Sequence, residues 1–465
     1  MLPCAACESP SFEQHDFAFG TSSRSSRLLH GGIRYLAQGR VKLVHEASVE
    51  KRIIQQIAPH VAEPLAFIFP TYKGTDWPLW QLRIGVKIYD LLCSGKNLGK
   101  SSSLSQNKTL EQLPRLKSER LTGAVRYYDG LTNDARLVLD TLRSASKSGA
   151  TLLNYCKFQT STFANENWTC KVTDQLTNRA YDLQARAVVN ATGPWADGLP
   201  HSSVKLRLAK GIHIVVERSR LPVPDAVVIT EGKRILFVIP WGERLIIGTT
   251  DTDYKGSLDD VRADQSDIDY VLRTVAEFFP QVKLVQRDII STWAGLRPLI
   301  ADPNGKPSDI SRAHEIMNPE PGWWDVAGGK LTTYRLMAEQ TVDAILKNTL
   351  GQAIKPSHTA EEPLLPESET RGISAIVPPE FNNRAVQHFC TREWAVHLDD
   401  VMIRRTSWHY YYRDAAEKAG RVADWMAEFL GWSAAERDAE LKRYYAATGI
   451  EGSPGTRQFA AKVGS

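Results

Sequence analysis

Four cations, Arg34, Arg297, Arg312 and Lys330, stand beside glycine, proline or serine in segments that read as strand-to-loop junctions rather than helix faces. Cations on such rims suit an anion, and a phosphate in particular: a guanidinium grips two oxygens at once and an ammonium adds a point charge. A single loop arginine is more often a solvated surface charge, so this reading depends on convergence in space. Two histidines, His30 in LLHGG and His213 in KGIHIVV, lie in tight glycine-bearing segments. Imidazole exchanges a proton near neutral pH, which makes either a candidate base, although a lone histidine is more often structural. Gly328-Gly329-Lys330 precedes LTTYRLMAEQTVDAIL, whose periodicity starts a helix near Thr332. Glycines admit a ligand to the backbone, and a helix amino terminus presents free N–H groups to negative charge; the bland alternative is a tight turn.

Positioning these residues takes several elements. Val44, Ala47, Ile54 and Ile57 predict a helix over 41–57, following the serine- and arginine-rich run GTSSRSSRLLHGGIRYLAQG. Residues 125–153 read as a turn at Asp129-Gly130, a helix marked by Leu137, Leu139, Leu142 and Ala145, and a return strand, a βαβ-like crossover. ARAVVNATG is a short apolar strand ending in small residues, where an α/β sheet receives ligands. LRLAKGIHIVVE, RILFVIP and RLIIGTTD read as antiparallel strands, the last two a hairpin, with His213 on the face opposite Ile212, Ile214 and Val216. Residues 351–380, with five prolines, read as a linker between region 1–350 and a helical region 381–465. There Trp394, Leu398, Val401 and Met402 have helical spacing, and Ser433 with Glu436 has capping-box spacing.

Composition narrows the classes. With 57 basic and 53 acidic residues in 465, the chain has no basic block, which argues against a nucleic-acid partner. It lacks a run of 18 apolar residues and a signal-peptide pattern, so the expected location is cytoplasmic. Six scattered cysteines suggest reduced thiols; Cys4 and Cys7 form one C-x-x-C without a second pair, and no metal is assigned.

DFAFGTSSRSSRLLHGGIRYL (16–36), VVNATGPWAD (188–197), IPWGERLIIGTTDTDY (239–254), WAGLRPLI (293–300) and AGGKLTTYRLMAEQTVD (327–343) resemble, in order, the signatures of the FAD-dependent glycerol-3-phosphate dehydrogenases. IGVKIYDLL, YYDGLTNDARL and LDDVMIRRT extend the resemblance to about residue 410.

The resemblance implies an α/β fold: a Rossmann-like FAD-binding domain interleaved with an antiparallel substrate-binding sheet, plus a C-terminal helical domain. It implies oxidation of sn-glycerol 3-phosphate to dihydroxyacetone phosphate by hydride transfer to the flavin, with electrons passed to a quinone. By the same carry-over, Arg34, Tyr35, Arg312 and Lys330 hold the substrate phosphate and Arg297 sits near the reacting hydroxyl. His213 is the first candidate for that hydroxyl's proton, with His30 second. For FAD, Glu13 matches the ribose acid, Thr21, Ser22 and Ser23 match hydrogen-bonding positions, Ala191-Thr192-Gly193 lies beside the adenine half, and Gly329, Lys330, Leu331 and Thr332 meet the ring. A homodimer and peripheral attachment to the inner face of a membrane are compatible with this kinship, although no strongly amphipathic basic helix stands out in the sequence.

Three positions depart from the pattern. No G-x-G occurs, and the chain begins just before the ribose acid, so the first βα unit and its pyrophosphate cradle are expected to be missing. Ala37 replaces the acid of many relatives after RYL, and Ile212 replaces their serine beside His213. Two alternatives follow: a flavin oxidase of the same superfamily that uses oxygen, and an inactive truncated remnant.

Overall fold

The computed structural model describes residues 9–36, 39–93, 97–232, 234–301 and 314–449. Helix α1, Val41–Ile57, buries Val44, Ala47, Ile54 and Ile57, and the N–H of Ala58 closes it on Ile54. Helix α2, Leu79–Leu92, follows extended Pro78 and buries Leu82, Val86 and Tyr89 on its inner face.

Two kinds of sheet organise the remainder. Pro10–Phe12 pairs in parallel with Thr151–Leu153, and Val188–Asn190 pairs in parallel with Trp323–Gly328, which continues antiparallel into His314–Glu320. These short parallel pairs form separate sheets among the described residues. A ten-stranded, mostly antiparallel sheet runs through Leu206–Glu217, Arg244–Gly248, Arg234–Trp241, Ala226–Glu231, Ala62–Tyr72 and Leu121–Thr132. Ile289–Ile300 also pairs with Leu206–Glu217, in a register that sets His213 opposite Trp293, Gly211 opposite Gly295 and Ala209 opposite Arg297. Its two faces bury different cores. Ile212, Ile214 and Val216 pack with Ile268, Val271 and Val275 of the helix Gln265–Phe278 on one face. Val215 and Trp293 pack with Val86 and Tyr89 of α2 on the other. Each such buried side chain stabilises by about 1.5–3 kcal/mol.

Three expectations are corrected. Asp129 and Gly130 lie inside the strand Leu121–Thr132, where Gly130 packs against Leu29. The strands flanking the helix Asp134–Lys147 belong to different sheets, so no βαβ crossover forms there. Trp394 lies outside any helix at φ 55° and turns its ring edge to Phe17. The capping box of Ser433 and Glu436 forms as predicted.

Between residues 349 and 382 the only regular element is the short helix Glu367–Thr370, and Leu364 and Ile376 are buried against the α1 and α2 cores. Asn383–Arg392, Ala415–Leu430 and Ala434–Thr448 then enclose Phe389, Leu398, Trp408, Met426 and Tyr444. This helical region is joined to the rest through buried ion pairs. Asp16 accepts hydrogen bonds from both Arg404 and Arg405, and Arg136 bonds Glu393 at 2.6 Å and Asp140 at 2.9 Å.

Candidate active site

The segment Gly20–Tyr35 threads between the sheets, and glycines at its contacts make the threading possible. A Cβ on Gly295 would come within 2.6 Å of the Arg24 carbonyl, and one on Gly20 within 3.1 Å of the Trp195 ring. Thr21–Ser23 is therefore held near the turn Gly193–Gly198 that follows Val188–Asn190. Trp293 Nε1 donates to the Ser25 carbonyl, and Thr21 Oγ1 to the Leu296 carbonyl.

Where this segment crosses the long sheet, it leaves a cavity of about 150 Å³. Thr21, His30, His213, Arg297, Lys330, Leu331 and Thr332, all named from the sequence, line it together. Arg24, Ser25, Ser26, Gly211, Phe237 and Gly295 line it too and were not foreseen. Among the described residues the wall carries three cations, Arg24, Arg297 and Lys330, and no acidic side chain. Such a lining favours an anion, and the volume is below the roughly 300–1,000 Å³ typical of drug-sized ligands, which suits a compact one.

The cations are placed from behind. Arg297 donates to Thr249 Oγ1 at 2.7 Å, to the Thr250 carbonyl at 3.1 Å and to Asp251 Oδ1 at 3.2 Å. A Cβ on Gly211 would lie 2.4 Å from the Arg297 guanidinium, so glycine there gives the arginine its room. Lys330 Nζ lies 4.2 Å from the centre of the buried Tyr35 ring, a cation–π arrangement. Arg34 sits in the short helix Ile33–Tyr35; its side chain, and Arg312, lie outside the described residues.

His213 is 2% exposed. Its Nε2 lies 2.9 Å from Ser26 Oγ, its ring stacks on Trp293, and its Nδ1 is buried with no hydrogen-bond partner among the described residues. Burial, then the Arg297 and Arg27 cations, push its pKa down to about 3, so the ring is neutral at ordinary pH. The other histidine is tied by its backbone: His30 N–H donates to Thr332 Oγ1 at 3.1 Å.

Groups that could meet a dinucleotide stand at the ends of the parallel strands. Glu13 follows Pro10–Phe12, accepts the His15 N–H, and has its pKa raised by burial. Ala191 and Thr192 are exposed just beyond Val188–Asn190, while in the turn Thr21–Ser23 Ser22 is exposed and Ser23 buried. Gly328 and Gly329, at φ 71° and 76°, turn the chain from Trp323–Gly328 into the helical turn Leu331–Thr333. A Cβ on Gly329 would lie 2.4 Å from Met337 Sδ. A carboxylate, exposed small residues and a diglycine at carboxyl ends of parallel strands are the kinds of group that suit a dinucleotide such as FAD.

The fold and the cavity lining suit a flavin-binding protein, and comparison with known proteins gives the family. Residues 12–343 match the FAD dependent oxidoreductase family, and residues 367–437 match the C-terminal domain of alpha-glycerophosphate oxidase. The chain belongs to the FAD dependent oxidoreductase family. More particularly, it is 39% identical over 359 residues to the aerobic glycerol-3-phosphate dehydrogenase of Staphylococcus aureus, covering 75% of this chain and 64% of that protein. The glycerol-3-phosphate dehydrogenase of Bacillus halodurans, solved with FAD, superimposes with a TM-score of 0.77 at 27% identity, covering 98% of this chain and 92% of the other. The L-alpha-glycerophosphate oxidase of Mycoplasma pneumoniae shares the fold, with a TM-score of 0.57 at 15% identity over 75% of this chain and 92% of the other.

Proposed function

We propose that the protein oxidises sn-glycerol 3-phosphate to dihydroxyacetone phosphate and passes the electrons to a quinone. The observation that carries this reading is the cavity whose described lining has three cations and no acid beside a neutral, buried histidine. The names of the similar proteins, glycerol-3-phosphate dehydrogenases and a glycerophosphate oxidase, point to the same substrate.

Bound FAD would accept the hydride from C2 of the substrate. Glu13, Thr21, Ser22, Ser23, Ala191, Thr192, Gly193 and the run Gly329–Thr332 are the residues that would hold it. Arg34, Tyr35, Arg312 and Lys330 hold the substrate phosphate, and Arg297 faces the C2 hydroxyl, which fixes the carbon for transfer. As C2 loses a hydride, the hydroxyl loses its proton, and His213 receives it, with His30 the second candidate. Alone, His213 is a weak base because burial, and then the cations Arg297 and Arg27, disfavour its protonation. A bound phosphate dianion offsets the cationic part and raises its proton affinity with substrate in place.

The quinone side calls for a membrane, and α2 offers a surface for it. Trp80, Ile84, Ile88 and Leu91 are 65%, 55%, 42% and 74% exposed along one stripe, with exposed Arg83 and Lys87 on its flank. Asp90 turns inward to Ser101 and Asn97, leaving no acid on that face of the helix. An apolar stripe edged by cations suits an anionic lipid surface, and no helix among the described residues is long and apolar enough to cross a membrane. Peripheral contact through α2 is accordingly part of this reading.

The match of the C-terminal region to a glycerophosphate oxidase domain favours a second reading, in which oxygen takes the electrons. One experiment separates them. The purified chain, supplied with FAD, is expected to show a flavin band that sn-glycerol 3-phosphate bleaches, with reduction of a quinone-analogue dye and little hydrogen peroxide. Stoichiometric peroxide selects the oxidase reading; a folded protein that takes up no FAD overturns both.

A further inference from the structure

The loop from His30 to Tyr35 carries three of the proposed site residues, yet Gly31 and Gly32 give it no side chains of their own with which to anchor it. Its anchor lies behind it. The Gly31 N–H donates to the Tyr89 hydroxyl at 2.9 Å and points towards Asp129 Oδ1 at 3.4 Å. Tyr89 in turn donates to Asp129 Oδ1 at 2.5 Å. Lys51 Nζ donates to the same carboxylate oxygen at 2.9 Å, to Asn97 Oδ1 at 3.1 Å and to the Tyr128 carbonyl at 3.2 Å.

Lys51, Tyr89 and Asp129 come from α1, α2 and the strand Leu121–Thr132, and their exposures are 1%, 0% and 3%. Burying an ion pair is costly, and an apolar trio would fill this space at least as well. What an apolar trio would lack is an acceptor for the Gly31 N–H. The glycines are shaped to this arrangement: a Cβ on Gly31 would lie 2.4 Å from the Tyr89 hydroxyl, and Gly32, at φ 84°, would bring one to 2.5 Å from the Tyr35 ring and 3.1 Å from Lys330 Nζ. The loop's height above α2 thus sets where Tyr35 meets Lys330.

We propose that Lys51, Asp129 and Tyr89 form a positioning group for anion binding, fixing the Gly31 backbone so that the Tyr35–Lys330 pair is prearranged for a phosphate. None of the three touches the substrate. The proposal rests on the reading of the cavity as a phosphate-monoester site, and deepens it.

Tyr89→Phe tests it, since it keeps the ring and deletes only the hydroxyl that receives the Gly31 N–H. Binding of sn-glycerol 3-phosphate and of inorganic phosphate to the full chain is followed by calorimetry, with thermal unfolding and amide exchange of the segment 28–36 measured alongside. Tyr89→Phe is expected to weaken both ligands about tenfold and to speed exchange at Gly31, as loss of one buried hydrogen bond would. Lys51→Met should do the same, and Lys51→Arg, which keeps the charge, should restore part of the affinity; if Lys51→Met fails to fold, Tyr89→Phe still decides. Wild-type affinity in a folded Tyr89→Phe protein overturns the proposal, whatever its melting temperature. A wild-type chain that binds neither phosphate ligand instead overturns the reading of the site itself.

Discussion

Buried charge is used in opposite ways at the junction with the helical region and in the cavity wall. At the junction, Asp16 is shared by Arg404 and Arg405, Arg136 by Glu393 and Asp140, and Tyr155 donates to Asp400 at 2.6 Å. In the cavity wall, Nδ1 of His213 is buried with no hydrogen-bond partner among the described residues. Behind that wall Arg27 is held by Ser407 at 2.9 Å, by buried Asp134 at 3.8 Å and by the faces of Trp241 and Trp293. Buried polar groups are ordinarily satisfied, and the exceptions concentrate where a fold reserves them for chemistry. Charge is matched at the junction, whereas the histidine of the cavity wall keeps one unmatched nitrogen.

Substitutions on the two sides should therefore fail differently. The largest effect is expected at the junction: Asp16→Ala leaves the buried Arg405 without a carboxylate, while Arg404 keeps Asp399 and Asp400, and should cost about 3–5 kcal/mol of stability, read as a lower urea midpoint. Gly211→Ala belongs to the cavity. Its added Cβ displaces Arg297, and turnover of sn-glycerol 3-phosphate should fall by about 10²-fold while the urea midpoint moves little; equal losses in both would break the contrast. The third effect depends on pH. Unfolded His213 binds its proton below about pH 6.5, whereas the folded protein resists protonation until about pH 3. Between those limits the unfolded state holds more protons, so stability falls by about 1.4 kcal/mol for each unit of acidification and is fully regained above pH 6.5. His213→Asn should flatten that part of the stability profile, and an unchanged slope would assign it to other groups.

Much of this site was legible in the sequence because local patterns determine it. Alternation in LRLAKGIHIVVE placed His213 away from Ile212 and Ile214, and the two faces do bury separate cores. The apolar spacing of α1 gave its span because only one of its faces is buried. Gly211 and Gly295 were passed over because they matter as a facing pair, and pairing is a property of register; a glycine inside each strand pattern was the available signal. Asp129-Gly130 read as a turn because that dipeptide so often makes one, whereas here Gly130 makes room for Leu29 across the sheet. The outer stripe of α2 was hidden for another reason. Leu82, Val86 and Tyr89 make its inner face apolar as well, so the helix shows little periodicity and only the structure separates the face that packs from the face left to solvent.

The Asp16 clamp also sets a timetable for the chain's birth. Asp16 is made early, and its partners Arg404 and Arg405 follow 388 and 389 residues later. At synthesis rates of about 5–20 residues per second, that carboxylate waits on the order of half a minute for its counterions. Through that interval the threaded segment that frames the cavity lacks this lock against the helical region, and a nascent chain stalled before residue 404 would carry His213 in an unfinished pocket.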